Sequence, residues 1–452
     1  MYLCADKNKT KGMKRLWITL AFLVAVFSLS AQKKWTLQDC LDYARENNIT
    51  LQKARLQQQQ AAEEVKSAKA ALLPSVSAST NQSVGYRPWQ DDGVTTVTNG
   101  QVNAKVDKVY YNGSYGVNAQ WTVWNGNRNR NNIRLSEVAQ QKAESDYLAS
   151  CKTIEERISQ LYVQLLYLKE AIKVNEANLE TAKKNEERGR EMVDVGKMSR
   201  ADLAQLTAQR ATDEYNVVEA QSQLAGYKLQ LKQLLELTNS EPFDIADSAP
   251  IDDQALETIP ALNDVYEKAL SGRPEIQSAK LNIQSSDISL KIAKAGWMPS
   301  LNVAGSVSTG HNSLSKLAWG TQMKSNFDAM AGLTLSVPIF DQRQTKTAVN
   351  KARIQQQQAQ LDLLDQQKQL YQTIESFWLD ATTNQQKYRT ALATLESEQQ
   401  SYDLLQEQFR LGLKNIVELM TGKDRLLAAQ QNLLQSKYMT MLNIDMLRLY
   451  EH

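Results

Sequence analysis

The chain has 452 residues, more than one ordinary domain needs, and a net charge of +2, which gives no global attraction to nucleic acid. Glycine (18) and proline (8) are scarce for this length, while Gln, Leu, Ala, Lys and Glu abound, so long helices are favoured over a mixed α/β fold. A mean hydropathy of −0.48 argues against a polytopic helical membrane protein.

The first segment has the order of a secretory signal peptide, assigned to residues 1–31. Lys7, Lys9, Lys11, Lys14 and Arg15 precede an apolar run from Leu16 to Leu29, and Ala31 supplies a small residue before Gln32. The run is short for a membrane span. Met13 opens a signal that is complete in itself, "MKRLWITLAFLVAVFSLSA". Cleavage leaves Cys40 and Cys151, neither directly after the apolar run, so no lipoprotein anchor is expected. They read as two buried or solvated thiols, with a disulfide open to them after export. His311 and His452 lie far from any cysteine cluster, so neither a metal site nor a cofactor is expected.

After Pro74, Val76, Ala78, Thr80, Gln82, Val84 and Tyr86 alternate with small or polar residues, predicting a strand over about 75–87. Tyr115, Val117, Ala119, Trp121 and Val123 alternate in the same way, predicting a second over about 114–124. Residues 127–188 contain neither glycine nor proline, enough for a helix of about 90 Å, and Leu161, Leu165, Leu168, Ile172 and Leu179 keep 3–4 spacing. Gly196 follows at a predicted helix reversal. Residues 238–260, "TNSEPFDIADSAPIDDQALETIP", hold three prolines and many acids and read as a linker with little regular structure. The pattern then restarts. Strands are predicted over about 300–310 and 329–340, and residues 339–411 again lack glycine and proline. Ile374, Ala381, Tyr388, Leu395, Tyr402 and Phe409 lie seven apart, the narrow seam of left-handed coiled-coil packing.

The restart is a repeat. "AKAALLPSV" at 68–76 matches "AKAGWMPSL" at 293–301, an offset of 225 that also pairs Leu37 with Leu262 and Ala54 with Ala279. Further on the offset is 216, pairing Gly116 with Gly332, Trp124 with Phe340, Gly196 with Gly412 and Asp202 with Glu418. The lost residues fall between the two strands of each copy, which predicts a free loop there. The copies are assigned to 32–237 and 261–452.

Strands of this length, apolar on one face and small or polar on the other, fit the outer-membrane barrel pattern. Trp121, Trp124, Trp297 and Phe340 sit at strand–helix junctions, where an interfacial aromatic girdle would place them, as would plain core packing. Four strands cannot close a barrel, and open edges are not viable in lipid, so several chains must share one; the sequence does not fix three.

These pieces resemble the TolC-like outer membrane efflux proteins, over residues 35–450. "AKAALLPSVS" and "AKAGWMPSLN" are similar to the helix-to-strand junctions of that family, and "LTLSVPIFDQRQTKTAV" to its strand-to-helix exit, with "AQWTVWNGNRNRNNI" the more divergent partner. "DVGKMSRADLAQL" and "RLGLKNIVELMTG" resemble its two periplasmic tip turns. The resemblance implies a mainly α fold with a small membrane β-barrel. Three chains would form a 12-stranded barrel in outer-membrane lipid, continuous with a long periplasmic α-helical barrel, with two repeats per chain. It implies a homotrimer docked on a periplasmic adaptor (membrane fusion) protein, and through it on an inner-membrane pump of the RND or ABC type. The duct catalyses nothing and carries small molecules or proteins in an efflux or type I secretion system.

At residue level the resemblance implies adaptor docking by Val195, Gly196, Lys197, Leu411, Gly412 and Leu413. It implies a periplasmic gate of Asp202, Lys414 and Glu418, with Lys414 linking neighbouring helices. Thr421 stands where some members carry a second acidic ring, so a single ring is expected. The plain alternative is that Asp202 and Glu418 are first-turn acids favoured by the helix dipole. The competing function is a periplasmic coiled-coil adaptor or structural protein, which should show compact β domains around one hairpin.

Overall fold

The computed structural model describes residues 34–89, 93–97, 100–104, 107–238, 243–246 and 252–451. The signal segment 1–31 and His452 lie outside the described residues. In chain order the elements are β1 (Lys34–Trp35), α1 (Leu37–Asn47), α2 (Ile49–Ala70), β2 (Ser75–Tyr86), β3 (Gly93–Val97), β4 (Gly100–Ala104), β5 (Val109–Trp124), α3 (Arg128–Asp194) and α4 (Arg200–Leu234). There follow β6 (Asp244–Ile245), a 3-10 turn (Asp252–Leu256), α5 (Leu262–Gly272), α6 (Pro274–Lys294), a 3-10 turn (Ala295–Trp297), β7 (Ser300–Asn312), α7 (Trp319–Ser325), β8 (Asp328–Ser336), α8 (Gln344–Arg410) and α9 (Ile416–Glu451). Starts of α1 and α5, and of α2 and α6, differ by 225, and those of α3 and α8, and of α4 and α9, by 216. Helices α3 and α8 are each 67 residues long, about 100 Å. Among the described residues no helix is long and apolar enough to cross a membrane.

The chain divides into two compact units. One comprises Ala54–Tyr147 and Pro274–Lys368. Its centre is an antiparallel sheet in the order β2-β5-β7-β8, so each repeat's strand pair lies side by side and β5 joins β7 across the repeats. The register puts Ala78, Val117 and Val307 in one row, and Trp121, Val303 and Leu333 in another. Cross-strand partners share a face, so Val76, Val84, Tyr111, Val117, Trp121, Val307, Leu333 and Leu335 share one, and all are exposed. The opposite face carries Ser75, Ser77, Ser79, Asn118, Gln120, Ser306 and Thr334. Next to the sheet the helices pack through Val138, Leu281 and Ile288.

Two expectations need correction. The last strand ends at Ser336, not near 340, because Pro338 has no N–H for the ladder. The connection expected to be a free loop carries structure in both copies. β3 pairs with β4 in the first copy, and α7 packs on β7 in the second, where Thr309 Oγ1 donates to the Met323 carbonyl at 2.7 Å. Among its described residues the linker 238–260 holds only two short elements, β6, which pairs in parallel with β1, and a 3-10 turn whose Ala255 carbonyl accepts from Gln385 Nε2 at 3.1 Å. Lys169 and Lys228 hold Asp244 of β6 at 3.0 and 2.9 Å.

The divergent strand exit has the same backbone in both copies. Gly126 and Asn127 have φ of 67 and 64°, and Gln342 and Arg343, at the 216 offset, have φ of 52 and 69°. Asn125 Oδ1 accepts from Asn129 N–H at 3.1 Å, as Asp341 Oδ2 accepts from Thr345 N–H at 2.7 Å. Two successive left-handed residues, closed by a side-chain cap, turn strand into helix. Glycine is required only in the first copy, where a Cβ at 126 would meet Met298.

The other unit comprises Leu148–Arg273 and Gln369–His452 with the first 53 residues. One core cluster joins Cys40, Leu41 and Ala44 of α1 to Ile158, Leu161 and Leu165 of α3 and to Leu231 of α4. No disulfide joins Cys40, which is buried, to Cys151. Arg273 pairs with Glu156 at 2.6 Å and lies over the Tyr450 ring. Nearer the helix reversals, Lys423 of α9 and Asp213 of α4 form an ion pair, with 3 and 2% of their side chains exposed. Removing one partner leaves a buried charge unmatched. Lys423→Met is therefore expected to destabilise the protein by about 3–5 kcal/mol, and the Asp213→Leu/Lys423→Met pair to recover most of that loss. Denaturant unfolding of the purified variants measures both.

Candidate functional site

The two helix reversals are built identically. α3 ends on Gly196 and α8 on Gly412, both with φ of 75°. The Gly196 N–H donates to the Val193 carbonyl at 3.0 Å and Lys197 N–H to Met192 at 2.8 Å. Gly412 and Leu413 repeat this toward Phe409 and Gln408 at 3.0 and 2.9 Å. This pair of bonds closes a helix with one left-handed residue, which glycine adopts without a Cβ penalty. Three residues after each glycine a polar side chain starts the return helix: Ser199 Oγ accepts from Asp202 N–H at 3.0 Å and Asn415 Oδ1 from Glu418 N–H at 2.9 Å.

Val195, Leu411 and Leu413 project from these turns with 67, 61 and 72% exposure. Gly196, Lys197 and Gly412 are exposed as well. Beneath them Leu206, Tyr402, Ile416, Leu419 and Leu426 form one core, with Met198 and Phe409 packed against it. The turns thus stand on a shared apolar base. Helices approach closely within each hairpin: a Cβ at Gly189 would meet Leu206, and one at Gly422 would meet Leu405.

The acidic residues serve their own turns. Ser199 Oγ donates to Asp202 Oδ2 at 2.8 Å. Glu418 accepts from Asn415 N–H at 3.2 Å and from Lys414 Nζ at 2.5 Å. The Lys414 bond, followed by the Asn415 N–H, holds the Glu418 carboxyl below its ordinary value. Within the chain, Lys414 pairs with an acid of its own turn. Among the described residues no hydrogen bond or ion pair joins Asp202 to Lys414 or Glu418. Sequence reasoning missed the buried charges one to three turns further in. Glu186 accepts from Arg190 at 2.7 Å, from Arg210 at 2.8 Å and from Thr207 at 3.0 Å. Burial pushes its carboxyl up, but those bonds and the two guanidinium charges together pull it below the ordinary value. Spacing gave no signal for this cluster; the caps Ser199 and Asn415, each three residues before an acid, were readable.

The junction aromatics lie at the helix end of the strands. Trp121 Nε1 donates to the Leu72 carbonyl at 2.8 Å. Trp124, Trp297 and Phe340 are 40, 52 and 85% exposed, which excludes plain core packing within this chain.

A strand pair and a long helical hairpin, each present twice, define a class of channel protein. The solved Campylobacter jejuni CmeC outer membrane channel has this fold: its TM-score is 0.75 at 19% identity, covering 92% of this chain and 85% of that one. The profile of the outer membrane efflux proteins matches residues 40–236 and 265–448. The chain belongs to this family, the TolC-like outer membrane factors, whose members are channel proteins of the outer membrane and not enzymes. It is 22% identical over 406 residues to the outer membrane efflux protein BepC of Brucella suis, covering 89% of this chain and 82% of that protein. It is 22% identical over 431 residues to the outer membrane protein TolC of Vibrio cholerae, covering 94 and 93%.

Two outcomes are expected at the turns. A Cβ at Gly196 or Gly412 touches nothing within 4 Å, so Gly196→Ala or Gly412→Ala acts only through backbone strain. Each should cost about 1 kcal/mol, read as faster amide exchange confined to its turn. Because the folded Glu418 carboxyl titrates below 4.5, its contribution is complete above that pH and is lost as pH falls through the lower, folded value. Protection factors at 414–419, referred to the intrinsic exchange rate at each pH, should fall on acidification in the natural chain, and Glu418→Gln should remove that acid-dependent step.

Proposed function

We propose that this chain is the outer membrane component of a tripartite efflux or type I secretion system, working as a passive homotrimeric duct for small molecules or proteins. The observation that carries it is the sheet. Its exposed apolar face suits lipid, and among the described residues β2 and β8 each have one hydrogen-bonded neighbour. Their open edges need partner strands in a bilayer, and further copies of the chain supply them. Three copies of four strands make a twelve-stranded barrel, and the long hairpins then line the passage through the periplasm.

In this reading the exposed Val195, Gly196 and Lys197, with Leu411, Gly412 and Leu413, dock a periplasmic adaptor that connects the duct to an inner-membrane pump. Apolar side chains at a hairpin tip, held on rigid glycine turns, are suited to such contact. Asp202, Lys414 and Glu418 line the closed end. Three Glu418 carboxylates around one axis would attract cations and repel one another, and Lys414 beside each of them lowers that charge. Opening therefore needs little electrostatic work, and energy comes from the pump. The competing adaptor reading has no support in two hairpins and paired strands.

The protein should fractionate with outer membranes and run as a trimer in mild detergent; a soluble monomer in periplasmic extract would overturn the proposal. Cysteines placed by Lys197→Cys and Lys414→Cys should crosslink in cells to a periplasmic adaptor, and capture of none at either site would remove the docking assignment.

A further inference from the structure

The junction aromatics Trp121, Trp124, Trp297 and Phe340 lie at one end of the strands, and a second set of groups lies at the other. Beyond Tyr86, Trp89 is 92% exposed. Arg87 lies 4.5 Å over the Tyr110 ring, and Lys108 Nζ donates to the Pro88 carbonyl at 3.3 Å. Beyond Asn312 the chain does not hang free. β8 pairs with β7 only as far as Ser308, and α7 takes over the rest of that edge. Asn326 Nδ2 donates to the Gly310 carbonyl at 2.7 Å, and Asn312 N–H donates to Gln322 Oε1 at 2.9 Å. Gln322 is buried and also donates to the Leu317 carbonyl at 2.8 Å. These side-chain amides replace missing ladder bonds.

α7 lies against the apolar face, not the polar one. Thr309, which donates to Met323, and His311, whose ring is 6.3 Å from Trp319, both lie on the face of Val307, two and four residues along the strand. Leu317, Trp319 and Phe327 are nevertheless 54, 57 and 60% exposed. Lys316 and Lys324 flank them, both exposed, and neither forms an ion pair among the described residues. Val109 opens β5 and Trp121 stands three residues before its end, about 40 Å away along the strand, or about 30 Å of depth at the tilt usual in barrels. That matches the hydrocarbon thickness of a bilayer.

We propose that α7 and its flanks form a headgroup anchor on the outside of the sheet, with Leu317, Trp319 and Phe327 seated at the lipid interface and Lys316 and Lys324 binding the phosphates of anionic lipids. The assignment rests on the reading of the apolar sheet face as lipid-facing. Amphipathic aromatics and basic side chains with apolar stems are the groups that settle at this level. β8 begins directly after Phe327, and its exposed Leu333 and Leu335 lie further along the same apolar face, toward the other end of the strand.

The test uses the full chain reconstituted in phosphatidylcholine–phosphatidylglycerol vesicles, carrying one fluorescent label on Leu317→Cys or Leu333→Cys in a Cys40→Ala/Cys151→Ala background. Quencher-bearing lipids report depth. The label at 333, level with Trp121 near the helix end of the strands, should be quenched best by quenchers at the upper acyl chain. The label at 317 should respond best to headgroup-level quenchers, and more to those on phosphatidylglycerol than on phosphatidylcholine. Lys316→Gln and Lys324→Gln should each reduce that anionic preference by up to about fivefold. No quenching at 333 would overturn the lipid-facing sheet itself. Quenching at 333 without any at 317 would overturn the anchor alone, leaving α7 covered by protein or turned to water. Equal quenching at 317 by both headgroups, unaffected by the lysine changes, would overturn the anionic-lipid assignment.

Discussion

Everything in the sheet depends on the ladder between β5 and β7. Side chains alternate along a strand, so a slip of one residue would exchange the apolar and polar faces of a whole repeat. Several local features hold the register. Thr122 Oγ1 donates to Asn302 Oδ1 at 2.9 Å beside the irregularity between Thr122 and Trp124. At the far end Gly113 faces His311, whose ring occupies the space a Cβ would need. With that register set, one face is oily from β2 to β8 and the other is serine- and asparagine-rich. Both properties a lipid-embedded duct wall needs, an apolar exterior and a wettable interior, follow from one alignment.

The helical part solves a different problem. Its helices are polar on most faces and bury only narrow seams, so hydrophobic area alone discriminates weakly between registers. Buried charges add that discrimination. A pair such as Asp213 and Lys423 gives little net stability compared with apolar residues, but any sliding of α4 against α9 would strand both charges. Glu186, matched by Arg190, Arg210 and Thr207, adds a second such point between α3 and α4. Both lie close to the reversals, where the apolar base of Leu206, Tyr402 and Ile416 must stay aligned if the turns are to present a fixed surface.

Much of this was legible in the sequence because it is local and written twice. Period-two alternation marked the strands, the glycine-free runs marked α3 and α8, and the offsets of 225 and 216 located equivalent elements. Gly196 and Gly412 announced reversals because little else takes a positive φ so readily. What escaped was either non-local or too short to have a period. Asp213 and Lys423 are 210 positions apart, and β1 and β6 have two residues each. α7 has seven residues with a glycine among them, too few for a helical stripe. Pro338 did mark the end of β8 and was outweighed by the alternation around it. The strand exits misled in the opposite sense. "WNGN" and "FDQR" look unrelated, yet Gly126–Asn127 and Gln342–Arg343 trace one backbone path, because asparagine and even longer side chains can hold the left-handed region when capped.

The close approach within each hairpin sets a rule for rearranging the molecule. In the first hairpin the descending helix supplies the gap, Gly189, and the ascending helix the knob, Leu206. At the equivalent positions of the second, the descending helix supplies Leu405 and the ascending helix Gly422. Since the two copies diverged, gap and knob have changed sides while the fit is retained. Hairpins can therefore be shuffled whole, but their helices cannot be recombined singly. Pairing α3 with α9 would set glycine against glycine and open a void, while pairing α8 with α4 would drive two leucines into one space. The duplicated gene has become two modules that share a plan and no longer share parts.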